Sequence, residues 1–212
     1  MSGRIAIDDV TPAVSCGRYP SKAVVGEHIP ICATVWREGH DAVGATVVWR
    51  GPGNGSGSQA RMQPGPPGLD QFTATVVADQ VGWWNFRVDG WADPWETWRH
   101  AIKVKIGAGQ TVSELENDLI TGARLLERAA RRPGQQAHRA TLSTAAVTLR
   151  DVELPLSERV GPALGEPVID VLIADPLRDL ITKGGSHKVW VDRPRALFSS
   201  WYEFFPRSTG GW

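Results

Sequence analysis

Acid–base chemistry needs two titratable groups held close together, and the candidates in this chain are Asp89, Asp93, Glu96 and Glu203. The first three fall in one short stretch that reads as a turn between strands, where acidic residues serve turn geometry. Glu203 alternates with Tyr202 and Phe204, a strand pattern, and is expected to face away from a core or make a local ion pair. No catalytic residue is assigned. Nucleophilic chemistry has no better footing, because no Gly-x-Ser-x-Gly elbow occurs. Gly107-Ala-Gly109 lacks the rest of a Gly-x-Gly-x-x-Gly pattern and reads as a strand-to-helix turn. Arg131-Arg132 could hold a phosphate but reads as a solvated helix end, where basic residues suit the dipole. The five histidines are scattered and none lies near a cysteine pair, so no metal site and no cofactor are expected.

The ten tryptophans stand out. They either fill a β core or meet a flat ligand such as a sugar ring. Trp36, Trp49, Trp84 and Trp190 lie within strand patterns and are expected in a core or at its rim. Trp91, Trp95 and Trp98 lie in or beside the stretch Gly90 to Glu96. They form a candidate cluster that either stacks on a sugar or packs against another domain or subunit, and packing is the favoured of the two.

The totals narrow the field. The 212 residues carry a formal net charge of zero, which removes the usual electrostatic reason to expect nucleic acid or an anionic membrane as partner. A hydrophobic share of 42% fits an ordinary folded protein, and no apolar run is long enough to span a bilayer. Met1 to Val10 contains no apolar segment of secretory type, so a cytoplasmic location is expected. Cys16 and Cys32 read as two buried thiols rather than a disulfide.

The elements that would position these residues change character twice. Ile29, Ile31, Ala33 and Val35 alternate with polar or small neighbours, the period-two pattern of a strand with one buried face. Ala45 to Arg50, Phe72 to Val77 and the alternation Trp84, Phe86, Val88 are further strands. Trp98, His100, Ile102, Val104 and Ile106 alternate as well and read as the cleanest strand. Gly51 to Gly68 is rich in Gly and Pro and is expected to be a mobile loop. From Thr111 the pattern turns helical. Thr111-Val-Ser-Glu114 is a capping signature, Leu115, Leu119, Gly122, Ala123 and Leu126 recur at helical spacing, and Arg131 to Gly134 closes that helix. Ala137 to Leu149, Val168 to Ala174 and Pro176 to Thr182 read as three more helices, followed by a strand at His187 to Asp192. Short strands joined by turns indicate an antiparallel sandwich. The strand pattern resumes after the helices, so these read as a small bundle inserted between adjacent strands.

The run Ser200-Trp-Tyr-Glu-Phe-Phe-Pro-Arg-Ser-Thr-Gly-Gly-Trp212 resembles the first barrel strand of the α-amylase family. Within that family it is similar to the bacterial maltosyltransferases that extend α-1,4-glucan with maltose-1-phosphate as donor. Val14 to Pro20, Ala23 to Glu27, Ala33 to Asp41, Phe86 to Trp91 with Trp98 to His100, and Val189 to Pro194 resemble the first domain of the same enzymes. The resemblance implies a mixed all-β and all-α chain: an immunoglobulin-like antiparallel β-sandwich at 1–107 plus 186–199, an inserted helical bundle at 110–184, and the start of a (β/α)8 barrel at 200–212. It implies a homodimer, with α-1,4-glucan and maltose-1-phosphate as ligands of the whole enzyme. It places the two catalytic carboxylates on later barrel strands, beyond Trp212, so this chain is expected to be inactive alone. Trp201, Tyr202, Phe204 and Phe205 become candidates for docking against that barrel. Two other readings remain: a stand-alone carbohydrate-binding sandwich, and a self-contained small enzyme.

Overall fold

The computed structural model describes residues 5–53, 57–198 and 202–205. In chain order the elements are β1 (Ala6–Thr11), β2 (Ser21–Val24), β3 (His28–Trp36), β4 (Val43–Arg50), β5 (Ser58–Arg61), β6 (Gln63–Pro64), β7 (Gln71–Val77), β8 (Gly82–Ala92), α1 (Pro94–Gly107), α2 (Val112–Ala130), α3 (Arg139–Arg150), α4 (Leu156–Val160), α5 (Glu166–Ala174), β9 (Asp179–Lys183) and β10 (His187–Asp192). A 3-10 turn follows at Pro194–Leu197. The fold is therefore mixed, with strands and helices segregated along the chain. A four-stranded sheet has the order β1-β3-β7-β6, and a six-stranded sheet the order β2-β10-β8-β4-β5 with β9 pairing β8. No helix among the described residues is long and apolar enough to cross a membrane.

Two compact units emerge. One is built mainly from Val35–Ala45 and Gly90–Thr182, the other from Ile7–Thr34, Thr46–Asp89 and the described chain from Lys183 onward. In the second unit, alternation does what period two requires: Ile29, Ile31 and Ala33 are buried along β3 while His28, Pro30, Cys32 and Thr34 are not. β3 runs antiparallel to β7 with Ile31 opposite Ala74. In the six-stranded sheet Trp49 of β4 stacks on Trp84 of β8 at 4.8 Å, and Phe86 stacks on His187 of β10 at 5.1 Å. Burial holds the His187 imidazole below its ordinary pKa, and its Nδ1 has no hydrogen-bond partner among the described residues.

In the first unit the helices share one apolar core. Leu115, Leu119, Ala123 and Leu126 of α2, Leu142, Ala145, Ala146 and Leu149 of α3, and Val168 and Leu172 of α5 are all buried in it. α2 starts where the capping signature says: the Glu114 carboxylate accepts the Thr111 N–H at 2.7 Å, which satisfies an otherwise orphaned donor. The Thr111 hydroxyl donates to the same carboxylate, and these bonds hold Glu114 below the usual carboxylate pKa. α2 ends at Ala130, just before the basic pair Arg131-Arg132.

Five expectations are corrected. Trp98 to Ile106 is helix, not strand, because Trp95, Trp98 and Ile102 recur at helical spacing toward the shared core while Val104 is exposed. The residues Asp89 to Glu96 are not a turn between strands: β8 runs through Ala92 and α1 begins at Pro94. Pro176 to Thr182 is not a helix but leads into β9, and the Asp175 and Pro176 carbonyls accept the Arg132 guanidinium at 3.1 and 2.7 Å instead of helical N–H groups. Within the Gly/Pro stretch, β5 and β6 form at 58–61 and 63–64 because β4 and β7 offer ladder partners. Both cysteines are free, yet Cys16 is exposed and Cys32 half-buried rather than both buried.

Candidate functional site

Each acidic residue between Asp89 and Glu96 has a structural task. Arg87 donates to the Asp89 carboxylate at 2.7 and 3.1 Å, and this bond raises the arginine pKa further. Asp93 caps α1 by accepting the Glu96 N–H at 2.9 Å, with Pro94 in the first turn. Glu96 accepts two bonds from Arg99 at 2.8 and 2.7 Å. Glu203 is exposed.

The tryptophan cluster is internal. Trp91, Trp95 and Trp98 are 0%, 3% and 5% exposed. Trp95 and Trp98 lie 4.8 Å apart, and the Trp98 indole N–H donates to the Asp118 carbonyl of α2 at 2.7 Å. That approach requires a glycine: a Cβ on Gly122 would come within 2.2 Å of the Trp98 ring. Trp91 sits over Gly44 in the same way, with an added Cβ 2.3 Å from its ring, while the Arg178 guanidinium covers the indole at 5.4 Å. Thr97 ties this region to the 35–45 segment by accepting the Ala42 N–H at 2.9 Å.

Beside Trp98 an open groove of about 720 Å³ runs over α1 and α2. Its apolar floor includes Pro94, Trp98, Ala101 and Leu125, and Asp41, Asp118 and Asp179 border it. Each carboxylate is matched by a cation: Arg37 at 3.2 Å, Lys105 at 2.8 Å and Arg128 at 2.6 Å respectively. These three acids are far apart in sequence and were not singled out by sequence reasoning. No local signal could have found them, because only the fold brings them to one rim. Among the described residues no group of three or more His, Cys, Asp or Glu is arranged to hold a metal ion.

The C-terminal aromatic candidates fall elsewhere. Tyr202, Phe204 and Phe205 are 89%, 67% and 71% exposed, as is neighbouring Phe198 at 82%. Trp201 lies outside the described residues.

These features define a mixed α/β chain in which carboxylates cap helices and pair with cations, and in which Phe198, Tyr202, Phe204 and Phe205 stay uncovered. The comparisons give it a family. Residues 3–193 match the profile described as alpha-1,4-glucan:maltose-1-phosphate maltosyltransferase, domain N/S. Proteins named alpha-1,4-glucan:maltose-1-phosphate maltosyltransferase are similar over nearly the whole chain. The Mycolicibacterium smegmatis protein is 51% identical, covering 100% of this chain and 34% of the relative. That of Mycobacterium tuberculosis H37Rv is 49% identical over 99% of this chain and 33% of its own. Maltosyltransferase 1 of Streptomyces coelicolor is 47% identical over 98% and 30%. The chain belongs to this maltosyltransferase family and corresponds to its N/S region, spanning about a third of the length of these relatives.

Proposed function

We propose that this chain is the non-catalytic part of a maltosyltransferase that moves maltosyl units from maltose-1-phosphate to the non-reducing end of α-1,4-glucan in cytoplasmic glycogen or α-glucan synthesis. Its own task is to support a catalytic (β/α)8 barrel and to assemble a homodimer. The observation that carries the reading is the exposed run Phe198, Tyr202, Phe204 and Phe205. Burying each such ring is worth roughly 1.5–3 kcal/mol, so four uncovered rings in a short segment favour a docking surface. Residues 200–212 then open the barrel, with Trp201, Tyr202, Phe204 and Phe205 packed against it. The relatives' names supply the donor and the acceptor.

The finer architecture is part of the same proposal. The strands at 1–107 and 186–199 form an immunoglobulin-like sandwich, and 110–184 is a helical bundle inserted into it. α1 is counted with the bundle, which the burial of Trp95, Trp98 and Ile102 in the helical core supports. Trp91, Trp95 and Trp98 act as packing residues rather than a glycan platform, in keeping with their burial. Homodimer assembly is assigned to the helical part, where Val147, Val152 and Ile173 are exposed.

The test is phosphate release from maltose-1-phosphate with maltohexaose as acceptor. The isolated chain is expected to release none, and a polypeptide of the relatives' full length carrying this sequence is expected to turn over. Turnover by the chain alone would overturn the reading, as would a full-length protein without it. Sedimentation of the full-length protein checks the dimer.

A further inference from the structure

The outer face of the six-stranded sheet holds an aromatic surface that none of the readings above uses. Trp84, Phe86 and Val88 of β8 are buried, which leaves Trp83, Asn85 and Arg87 on the opposite face. Val189 and Val191 of β10 are buried, which leaves Lys188, Trp190 and Asp192 outward. Strand register joins the two sets: Trp190 is directly opposite Trp83 and Lys188 opposite Asn85, while Lys22 of β2 flanks Trp190 on its other side. Trp83 is 55% exposed, and its ring meets that of Trp190 at 5.0 Å with 62° between the planes. Beside the pair opens a hollow of about 400 Å³, lined by Trp83, Trp84, Asn85, Ser186 and Lys188.

Burial does not explain this arrangement. An outward position on a half-buried sheet is satisfied by any polar residue, yet two adjacent ones carry indoles with amide, hydroxyl and ammonium groups at their edge. That combination matches a sugar, which has an apolar C–H face and a rim of hydroxyls. We infer that this face binds α-1,4-glucan, with Trp83 and Trp190 stacking on neighbouring glucose rings and Asn85, Ser186 and Lys188 bonding to their hydroxyls. The ligand class rests on the maltosyltransferase reading above; the site itself rests on the geometry. The inclined rings select the linkage. An α-1,4 chain turns at every unit and presents tilted faces, whereas a β-1,4 chain is a flat ribbon that suits coplanar rings. The site serves to hold a glucan chain and takes no part in the transfer step.

Calorimetric titration of the 212-residue chain with maltoheptaose, and with cellohexaose as the flat control, tests the inference. Binding of maltoheptaose but not of cellohexaose is expected. Trp83→Ala and Trp190→Ala are each expected to weaken it at least about tenfold, and Asn85→Ala to weaken it less. Trp83→Tyr should restore most of the affinity, which a merely disturbed fold would not allow. Absence of binding by the unaltered chain, unchanged affinity in both tryptophan variants, or equal affinity for cellohexaose would each overturn the site. So would a Trp83→Ala effect seen in self-association by sedimentation and not in glucan binding. Phosphate release by the full-length protein keeps the two readings apart: turnover without binding here removes this site alone, and lack of turnover removes the enzyme reading.

Discussion

The helical unit and the sheet unit use the same side chain in opposite ways. In the helical unit Trp98 is buried, bonded through its indole N–H to the Asp118 carbonyl, and seated against a glycine. In the sheet unit Trp83 stands on the outer face, more than half exposed, with its edge contact to Trp190. The lesson is that tryptophan abundance does not by itself signal a ligand. Rings seated against glycine are packing, and a ring raised on a sheet face beside polar groups is available for recognition.

The sharpest way to break this comparison is to remove both rings. Trp98→Ala is expected to cost about 3–5 kcal/mol, because it empties a filled core and removes the indole bond to the Asp118 carbonyl. Trp83→Ala is expected to cost under about 1 kcal/mol, the range of an exposed residue with one cross-strand contact. Urea unfolding followed by far-ultraviolet circular dichroism measures both, and equal costs would sink the distinction.

Arg159 offers the next test, since it is a buried charge in the helical unit. It is 1% exposed, donates to the Leu149 carbonyl at 3.0 and 2.8 Å near the end of α3, and pairs with Glu116 at 3.2 Å. Arg159→Met keeps the volume but leaves that carbonyl unsatisfied, at a cost of about 1–3 kcal/mol. Glu116 is partly solvated, so its lost partner adds little. The same denaturation series reads the loss.

Gly122→Ala separates local propensity from packing. Alanine gains up to about 1 kcal/mol of helix propensity at an interior position. The added Cβ meets the Trp98 ring, and overpacking of this kind costs about 1–3 kcal/mol. A net loss is expected, relieved in the double variant Gly122→Ala with Trp98→Leu. A stabilised single variant would show that the ring can move aside.

The smallest effect belongs to His187 in the sheet unit. Its folded pKa lies below the ordinary 6.5 because burial disfavours the charged ring. The stability linked to the neutral ring is therefore complete above about pH 6.5 and is lost as the pH falls through the depressed folded value. His187→Phe, which keeps the stack on Phe86, should remove this part of the acid sensitivity without lowering stability near neutral pH. Unfolding midpoints compared at neutral and mildly acidic pH check it.

Much of the sheet unit was legible in the sequence because a period of two is unambiguous when polar residues fill the alternate positions, as along β3. α1 was not, because Trp98, Ile102 and Ile106 satisfy both an alternating pattern and a helical one. The deciding signals, Asp93 as cap and Pro94 at the first turn, are local, and they compete with the strand pattern that precedes them. β9 was misread for a different reason. Five residues carry little periodic information, and their state was settled by pairing with β8 and by Arg132 occupying the carbonyls before them. Of the site, the acids between Asp89 and Glu96 were visible as residues but not as cap and ion-pair partners. The facing of Trp83 onto Trp190 depends on a register that links residues more than a hundred positions apart.

Sequence alone determined the family, the change from strand to helix and back, the start and end of α2, and the hydrophobic sets of β3, β8 and β10. These follow from short-range chemistry and from blocks of residue identity, both of which are written along the chain. Tertiary structure decided which tryptophans are buried, which carboxylates meet at one rim, and where the short strands formed. Those outcomes depend on what each segment meets in space, because burial and ladder hydrogen bonds are shared between residues that the sequence holds far apart.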